Sequence, residues 1–171
     1  MRRSTILFLF FIGVRLNAQD LVVYGRVREH EQQRPIAEGV LGISSEGVQY
    51  IKVNCDSTGY YRLTLDVGKR WDIRYAAPGR VGKTIAFDLR NMPKDDGGHG
   101  INVDVRLFLD DAAQDFGFLE EPMGICHWDG TTKKLTWDAE YMLPRKQRLS
   151  AMMPEQYELV PDSVLIRGQE E

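Results

Sequence analysis

From Leu21 to Leu109 apolar and polar residues alternate with a period of two, and no stretch between them carries the spacing of an amphipathic helix. Alternation of that kind makes strands with one buried and one solvated face. Tyr61, Leu63 and Leu65 alternate with Arg62, Thr64 and Asp66, while Ile101, Val103, Val105 and Leu107 alternate with Asn102, Asp104 and Arg106. Strands are expected at 21–28, 40–44, 48–54, 61–65, 71–77, 83–89 and 101–109. Turn residues separate them, among them Ser45-Glu46-Gly47, Asp56-Ser57-Thr58-Gly59 and the glycine-rich loop 94–100. Short strands with regular turn signals define an all-β chain, expected as an antiparallel two-layer sandwich of about seven strands.

Past Asp110 the character changes. Residues 110–122 are acidic and irregular, with room for one helical turn. Residues 123–129 and 133–142 read as the arms of a β-hairpin around Gly130-Thr131-Thr132. Pro144, Pro154 and Pro161 break up residues 144–171, where little regular structure is expected beyond a short strand at 163–166. The chain thus divides into a leader (1–18), a sandwich (19–110) and a C-terminal extension (111–171) made of the hairpin 123–142 and an irregular tail.

The leader is a signal peptide by layout. Arg2 and Arg3 precede an apolar run from Ile6 to Val14, and Ala18 stands where cleavage would leave Gln19 first. The run is too short to cross a bilayer, which takes about 20 residues. No transmembrane segment is expected in the mature chain, and no Cys follows the run to carry a lipid. The expected location is outside the cytoplasm: periplasmic, outer-membrane-associated or secreted. The chain carries 22 basic and 25 acidic residues, and the leader removes Arg2, Arg3 and Arg15 from the basic side. An acidic mature protein is a poor partner for nucleic acid or an anionic membrane, where attraction to phosphate dominates. Two cysteines, Cys55 and Cys126, allow one disulfide in an oxidising compartment; the other reading is two separate buried thiols.

Together Gly25, Pro35-Ile36 with Gly39, Asp56 with Gly59 and Tyr60 or Tyr61, and Ala77-Pro78-Gly79 with Lys83-Thr84 resemble the carboxypeptidase regulatory-like domain over residues 21–109. Arg80 stands where that family often has an aromatic residue. The resemblance implies an immunoglobulin- or transthyretin-like sandwich, serving as a secreted or envelope module that is usually non-catalytic.

No candidate chemistry outweighs that reading. Ala77–Thr84 fits a relaxed phosphate-loop pattern, but such a loop must open a helix, and here it leads into a strand pattern. His30, His99 and His127 have no ligand partner at metal spacing, the Tyr and His pairing of iron dioxygenases is not found, and no nucleophile elbow occurs. Asp95-Asp96 and Asp110-Asp111 with Asp115 lack the spacing of a calcium loop. No catalytic residue, cofactor or metal is expected. The expected role is a non-catalytic envelope module that binds an envelope protein or a polysaccharide through strand edges or the hairpin, with Trp128, Trp137 and Tyr141 as the candidate surface. The alternatives are a carbohydrate-binding module using Trp128 and Trp137, and a small hydrolase with an unrecognised site. Intact-mass analysis of the exported protein should find Gln19 as its first residue; a retained leader would refute the cleavage.

Overall fold

The computed structural model of the chain describes residues 20–94, 98–111 and 114–152. The leader, Asp95-Asp96 and the strand expected at 163–166 lie outside them. Among the described residues ten strands, a short 3-10 helix and one α-helix follow in order. They are β1 (Asp20–Glu29), β2 (Val40–Ser45), β3 (Val48–Asn54), β4 (Tyr60–Asp66), β5 (Arg70–Ala76), β6 (Lys83–Asp88), β7 (His99–Asn102), β8 (Val105–Leu107), the 3-10 turn (Gly117–Glu120), β9 (Pro122–Asp129), β10 (Lys134–Trp137) and α1 (Ala139–Met152).

The strands form two sheets with the core between them. The smaller runs β4–β1–β7, with β8 continuing beside β1; the larger runs β10–β9–β6–β5–β2–β3. The alternation does this sorting. Leu21, Val23 and Val27 of β1 and Tyr61, Leu63 and Leu65 of β4 face Leu41, Ile43, Ile73, Tyr75 and Phe87 of the larger sheet, all buried. Most pairings are antiparallel, but β7 and β8 lie parallel to β1, and β9 lies parallel to β6. The hairpin therefore extends the larger sheet.

Two turns show the local chemistry. Asp56 Oδ1 accepts the Thr58 and Tyr60 N–H groups and the Thr58 hydroxyl at 2.8–3.0 Å, and Gly59 closes the turn at φ 71°. Asp and Gly supply the side-chain cap and the left-handed backbone such a turn needs. The β2–β3 loop is the pair Glu46-Gly47, both at positive φ (52° and 78°), the requirement of a two-residue hairpin.

The sandwich is pinned where the chain between β7 and β8 passes Gly25 of β1. The Val103 N–H donates to the Tyr24 carbonyl (2.8 Å), while the carboxylate of Asp104 accepts the Arg26 N–H (2.8 Å) that the interrupted ladder leaves free. The Val103 carbonyl sits against Gly25, where a Cβ would lie 2.1 Å from its oxygen. It is taken instead by the Tyr61 hydroxyl at 2.6 Å. Tyr75 from the opposite sheet donates to the Tyr61 oxygen at 3.0 Å, so one buried chain of hydrogen bonds joins the two layers.

The tail departs from expectation. The second arm of the hairpin ends at Trp137, and Asp138 caps a helix instead, its carboxylate accepting the Tyr141 N–H at 2.9 Å. The helix runs through Pro144 to Met152, where an irregular chain was expected. Pro144 removes one helical donor, the partner of the carbonyl of exposed Glu140, so water can satisfy that group. Leu149 and Met152 then pack with Phe108, Phe116, Phe118 and Met123 in a small second core.

Gly25→Ala should destabilise the fold by about 3 kcal/mol or more, because the new methyl group collides with the backbone of Val103. Tyr61→Phe should cost about 1–3 kcal/mol by leaving the Val103 carbonyl and the Tyr75 hydroxyl without partners in the core. Urea unfolding measures both; a change under about 0.5 kcal/mol for either would refute the role given to this junction.

Candidate functional site

Three connections meet at one end of the sandwich: the chain after β1, the β5–β6 loop and the chain leaving β8. His30 N–H donates to the Leu107 carbonyl, Val81 N–H to Phe108 and Asp110 N–H to Gly79, all at 3.0–3.1 Å. Pro78-Gly79 forms the turn of the β5–β6 loop, with Gly79 at φ 65° and Arg80 N–H closing on the Ala77 carbonyl (3.2 Å). Arg80 then reaches across to Glu31 (2.8 Å) and Glu29 (2.7 Å), and Glu29 also receives Arg34 (2.8 Å). The other oxygen of Glu31 accepts the Leu109 N–H at 3.0 Å. Arg34 foremost holds the Glu29 carboxyl below its ordinary range. Burial pushes Glu31 up, but the Leu109 N–H and Arg80 outweigh it and hold it low as well.

Lys83 opens β6 beneath this network. Its ammonium donates to the Arg106 carbonyl at 2.5 Å and lies 3.6 Å from the centre of the Phe108 ring, which the His30 ring approaches at 4.3 Å. Burial, helped by repulsion from Arg106, pushes the Lys83 ammonium down to about 7, against the pull of Glu31. The loop that resembles a phosphate cradle thus opens a strand, and its Arg and Lys are spent on carboxylates, a carbonyl and a ring of this same chain. Sequence reasoning missed the cluster because its members come from three connections far apart in the chain.

The residues singled out from sequence do not come together. Trp128 pairs with Leu135 and Cys126 with Trp137 across the hairpin, which puts all four on one face, and that face is the core side. Trp128 is 8% exposed and packs edge-on against His99 at 5.3 Å. It is therefore no surface platform, contrary to expectation: its rings fill the space between the sheets. Trp137 is half-buried against the same core, 6.3 Å from Phe87. Tyr141 sits on α1, not on the hairpin, with the Arg145 guanidinium 3.7 Å from its ring.

The cysteines are free and buried, so the disulfide reading is corrected. Cys55 borders β2, its N–H donating to Gly39, whereas Cys126 lies on β9, with β5 and β6 between. Three strand spacings amount to roughly 14 Å, twice the longest Cα separation a disulfide spans. Burial pushes the Cys55 thiol up to about 11, with help from Asp56, and Cys126 up to about 12, so both stay protonated at neutral pH. His30 lies on Phe108, His99 on Trp128, and His127 on the opposite face of β9 from Cys126 and Trp128. Among the described residues no three His, Cys, Asp or Glu side chains gather to hold a metal ion, and no helix is long and apolar enough to cross a membrane.

What the fold leaves open is an edge. The sheets end at β4, at β7 with β8, at β10 and at β3. Three of these are guarded. Arg62 and Asp66 charge β4, β7 and β8 are short and broken at Asp104, and β10 has four residues beginning with Lys134. Short length and charge are the usual protection of an edge. β3 is guarded least: it runs seven residues with Lys52 as its one charge, and Val48 and Ile51 are 58% and 57% exposed.

No protein-family model matches the chain, and no curated protein matches it either. Solved structures similar in fold include hydroxyquinol 1,2-dioxygenase from Pseudomonas putida DLL-E4, at 12% identity and TM-score 0.40, over 56% of this chain and 58% of that one. Another is a point mutant of catechol 1,2-dioxygenase from Acinetobacter radioresistens, at 12% identity and TM-score 0.43, over 58% and 55%. A third is the TIE protein of Bacillus anthracis, at 17% identity and TM-score 0.42, over 56% and 20%. The chain spans little more than half the length of these dioxygenases and a fifth of the TIE protein.

The Lys83 site makes a pH prediction. The unfolded chain keeps this proton up to about 10.5, the folded chain only to about 7, so the unfolded state binds more protons between those values. The penalty is complete below about pH 7 and is relieved as pH rises to about 10.5. Lys83→Met should therefore gain more stability relative to wild type at pH 7 than at pH 10. A difference that does not change with pH in thermal unfolding would refute it.

Proposed function

We propose that this chain is a non-catalytic, exported module of the cell envelope, of the carboxypeptidase regulatory-like kind with its immunoglobulin- or transthyretin-like sandwich. It holds another envelope protein by taking up an extended segment along β3. The observation that carries the reading is the β3 edge, the least guarded of the four. A seven-residue strand offers a row of backbone donors and acceptors, and strand addition turns that row into affinity while exposed side chains set specificity. The burial of the indole of Trp128 and the protonated, enclosed thiols turn the chemistry-bearing residues inward, which suits a binding scaffold. The leader supports export, and the acidic charge balance supports a protein partner over a nucleic acid.

A photo-crosslinking residue placed at Ile51 in the full-length protein, expressed in its own cells, should form one adduct of defined mass. The same residue at Thr136, on the guarded β10 edge, should form none. In the purified complex, amide exchange across Val48–Asn54 should slow. No adduct at position 51, or unchanged exchange across β3, would refute edge binding.

A further inference from the structure

We infer that the outer face of the smaller sheet binds an acidic polysaccharide, with Arg26, Arg28, Arg62 and Arg106 holding its carboxylates and Tyr24 and Tyr60 supporting its sugar rings. The surface is separate from the β3 edge.

The pleat sets the face. Leu21, Val23, Gly25 and Val27 of β1 are buried, so Tyr24, Arg26 and Arg28 point outward. On either side the register lays Arg62 and Asn102 beside Tyr24, Tyr60 beside Arg26, and Arg106 beside Arg28. Arg26 and Arg62 are exposed; Arg28, Arg106 and the two tyrosines are half-exposed. Four guanidiniums and two phenol rings therefore share one open sheet face.

This face also carries Asp20, Asp66 and Asp104, yet among the described residues its four arginines form no ion pair, whereas most arginines elsewhere do. Arg34, Arg70, Arg80, Arg90, Arg145 and Arg148 each lie within 4 Å of a carboxylate. Among the described residues Arg26, Arg28, Arg62 and Arg106 form no such pair. Asp104 and Asp56 act on Arg106 and Arg26 only at longer range, and one Asp104 oxygen, Oδ1, accepts the Arg26 N–H. Arg28 gives one weak hydrogen bond, 3.3 Å, to the Gln33 carbonyl. Arg28 and Arg106 are direct neighbours across parallel strands, a like-charge placement that destabilises a sheet. Burial and Arg28 both lower the Arg106 guanidinium from its ordinary value, the signature of a cation short of a counter-charge. This occurs on a chain whose net charge is −3, so four arginines without ion pairs on one face stand against an acidic background.

The ligand chemistry follows from the side chains. Guanidinium forks match carboxylates two bonds at a time. Tyrosine offers a flat apolar face with a polar tip, suited to a sugar ring. The solvent-facing side of a sheet suits an extended polymer. A polyphosphate relies on attraction over a wider field than a chain of net charge −3 supplies, so a glycan with spaced carboxylates fits better than nucleic acid.

The test is affinity electrophoresis of the mature protein with polygalacturonate as probe, beside neutral dextran, oligothymidylate and polyglutamate. Polygalacturonate should retard the wild type at about 50 mM salt, with affinity falling about tenfold or more by about 300 mM. Arg28→Gln with Arg106→Gln should weaken binding about tenfold while the melting temperature holds or rises, since a repulsive pair is removed. Arg62→Gln, at an exposed site, reads the same surface if that double variant fails to fold. Arg74→Gln, on the larger sheet, should change nothing. No retardation by polygalacturonate, retardation indifferent to the Arg62 and Arg28/Arg106 changes, or equal or tighter binding to oligothymidylate or polyglutamate would overturn the assignment.

Discussion

Everything in this sandwich is organised around the point where Val103 meets Gly25. A carbonyl in the middle of a strand normally points to its neighbour in the sheet. Here the chain between β7 and β8 turns that carbonyl inward against β1, which only a residue without a Cβ permits. An inward carbonyl in a dry core needs a donor, and Tyr61 supplies it; Tyr61 in turn accepts from Tyr75. Asp104 repairs the ladder on the outside with its side chain. Three residues of ordinary type, Gly, Tyr and Asp, together fix the spacing of the two layers and the interruption between β7 and β8. That interruption matters for the surface, because it sets Arg106 beside Arg28.

The two layers are unequal in width, and most of the exposed chemistry follows from the mismatch. The smaller sheet is three strands across, and the larger is six. At one side the overhang is closed by α1, whose Leu149 and Met152 join Phe108 and Met123 in a second core. At the other side β3 has no such cover, and Ile51 stays exposed although its cross-strand partner Ile43 is buried. The end of the sandwich is closed differently again, by the Glu29–Arg80–Glu31 network over Lys83.

Period-two alternation made the strands from β1 to β6 legible but read β7 and β8 as one strand over 101–109, and Asp56 and Gly59 marked their turn correctly. Alternation did not show that Arg62 and Arg106 flank Arg26 and Arg28, because register and parallel pairing depend on which strands meet. The same ignorance misplaced Trp128: parity along one strand is visible in a sequence, but which face meets the core is not. The helix was hidden by Pro144, which reads as a breaker, although a proline can stand where the carbonyl it orphans can reach water. Cys55 and Cys126 left pairing open because an even count carries no distance; sheet order supplies it.

The β3 edge and the arginine face have one property in common: each departs from what stability alone would favour. A long edge with Lys52 as its single charge is open to pairing, and a second charge or a Pro on its outer rim would have blunted it further. A Glu in place of Arg28 or Arg106 would have turned a repulsive neighbour pair into an attractive one. This chain shows, at β4 and in its six paired arginines, that it uses both remedies where they serve the fold. Local rules broken without internal compensation mark places where something outside the molecule supplies the balance. For β3 the missing partner is a row of backbone hydrogen bonds, and for the outer face of the smaller sheet it is negative charge. The two surfaces lie on different sheets and ask for different chemistry, so the protein and the polymer proposed for them would not compete for one site.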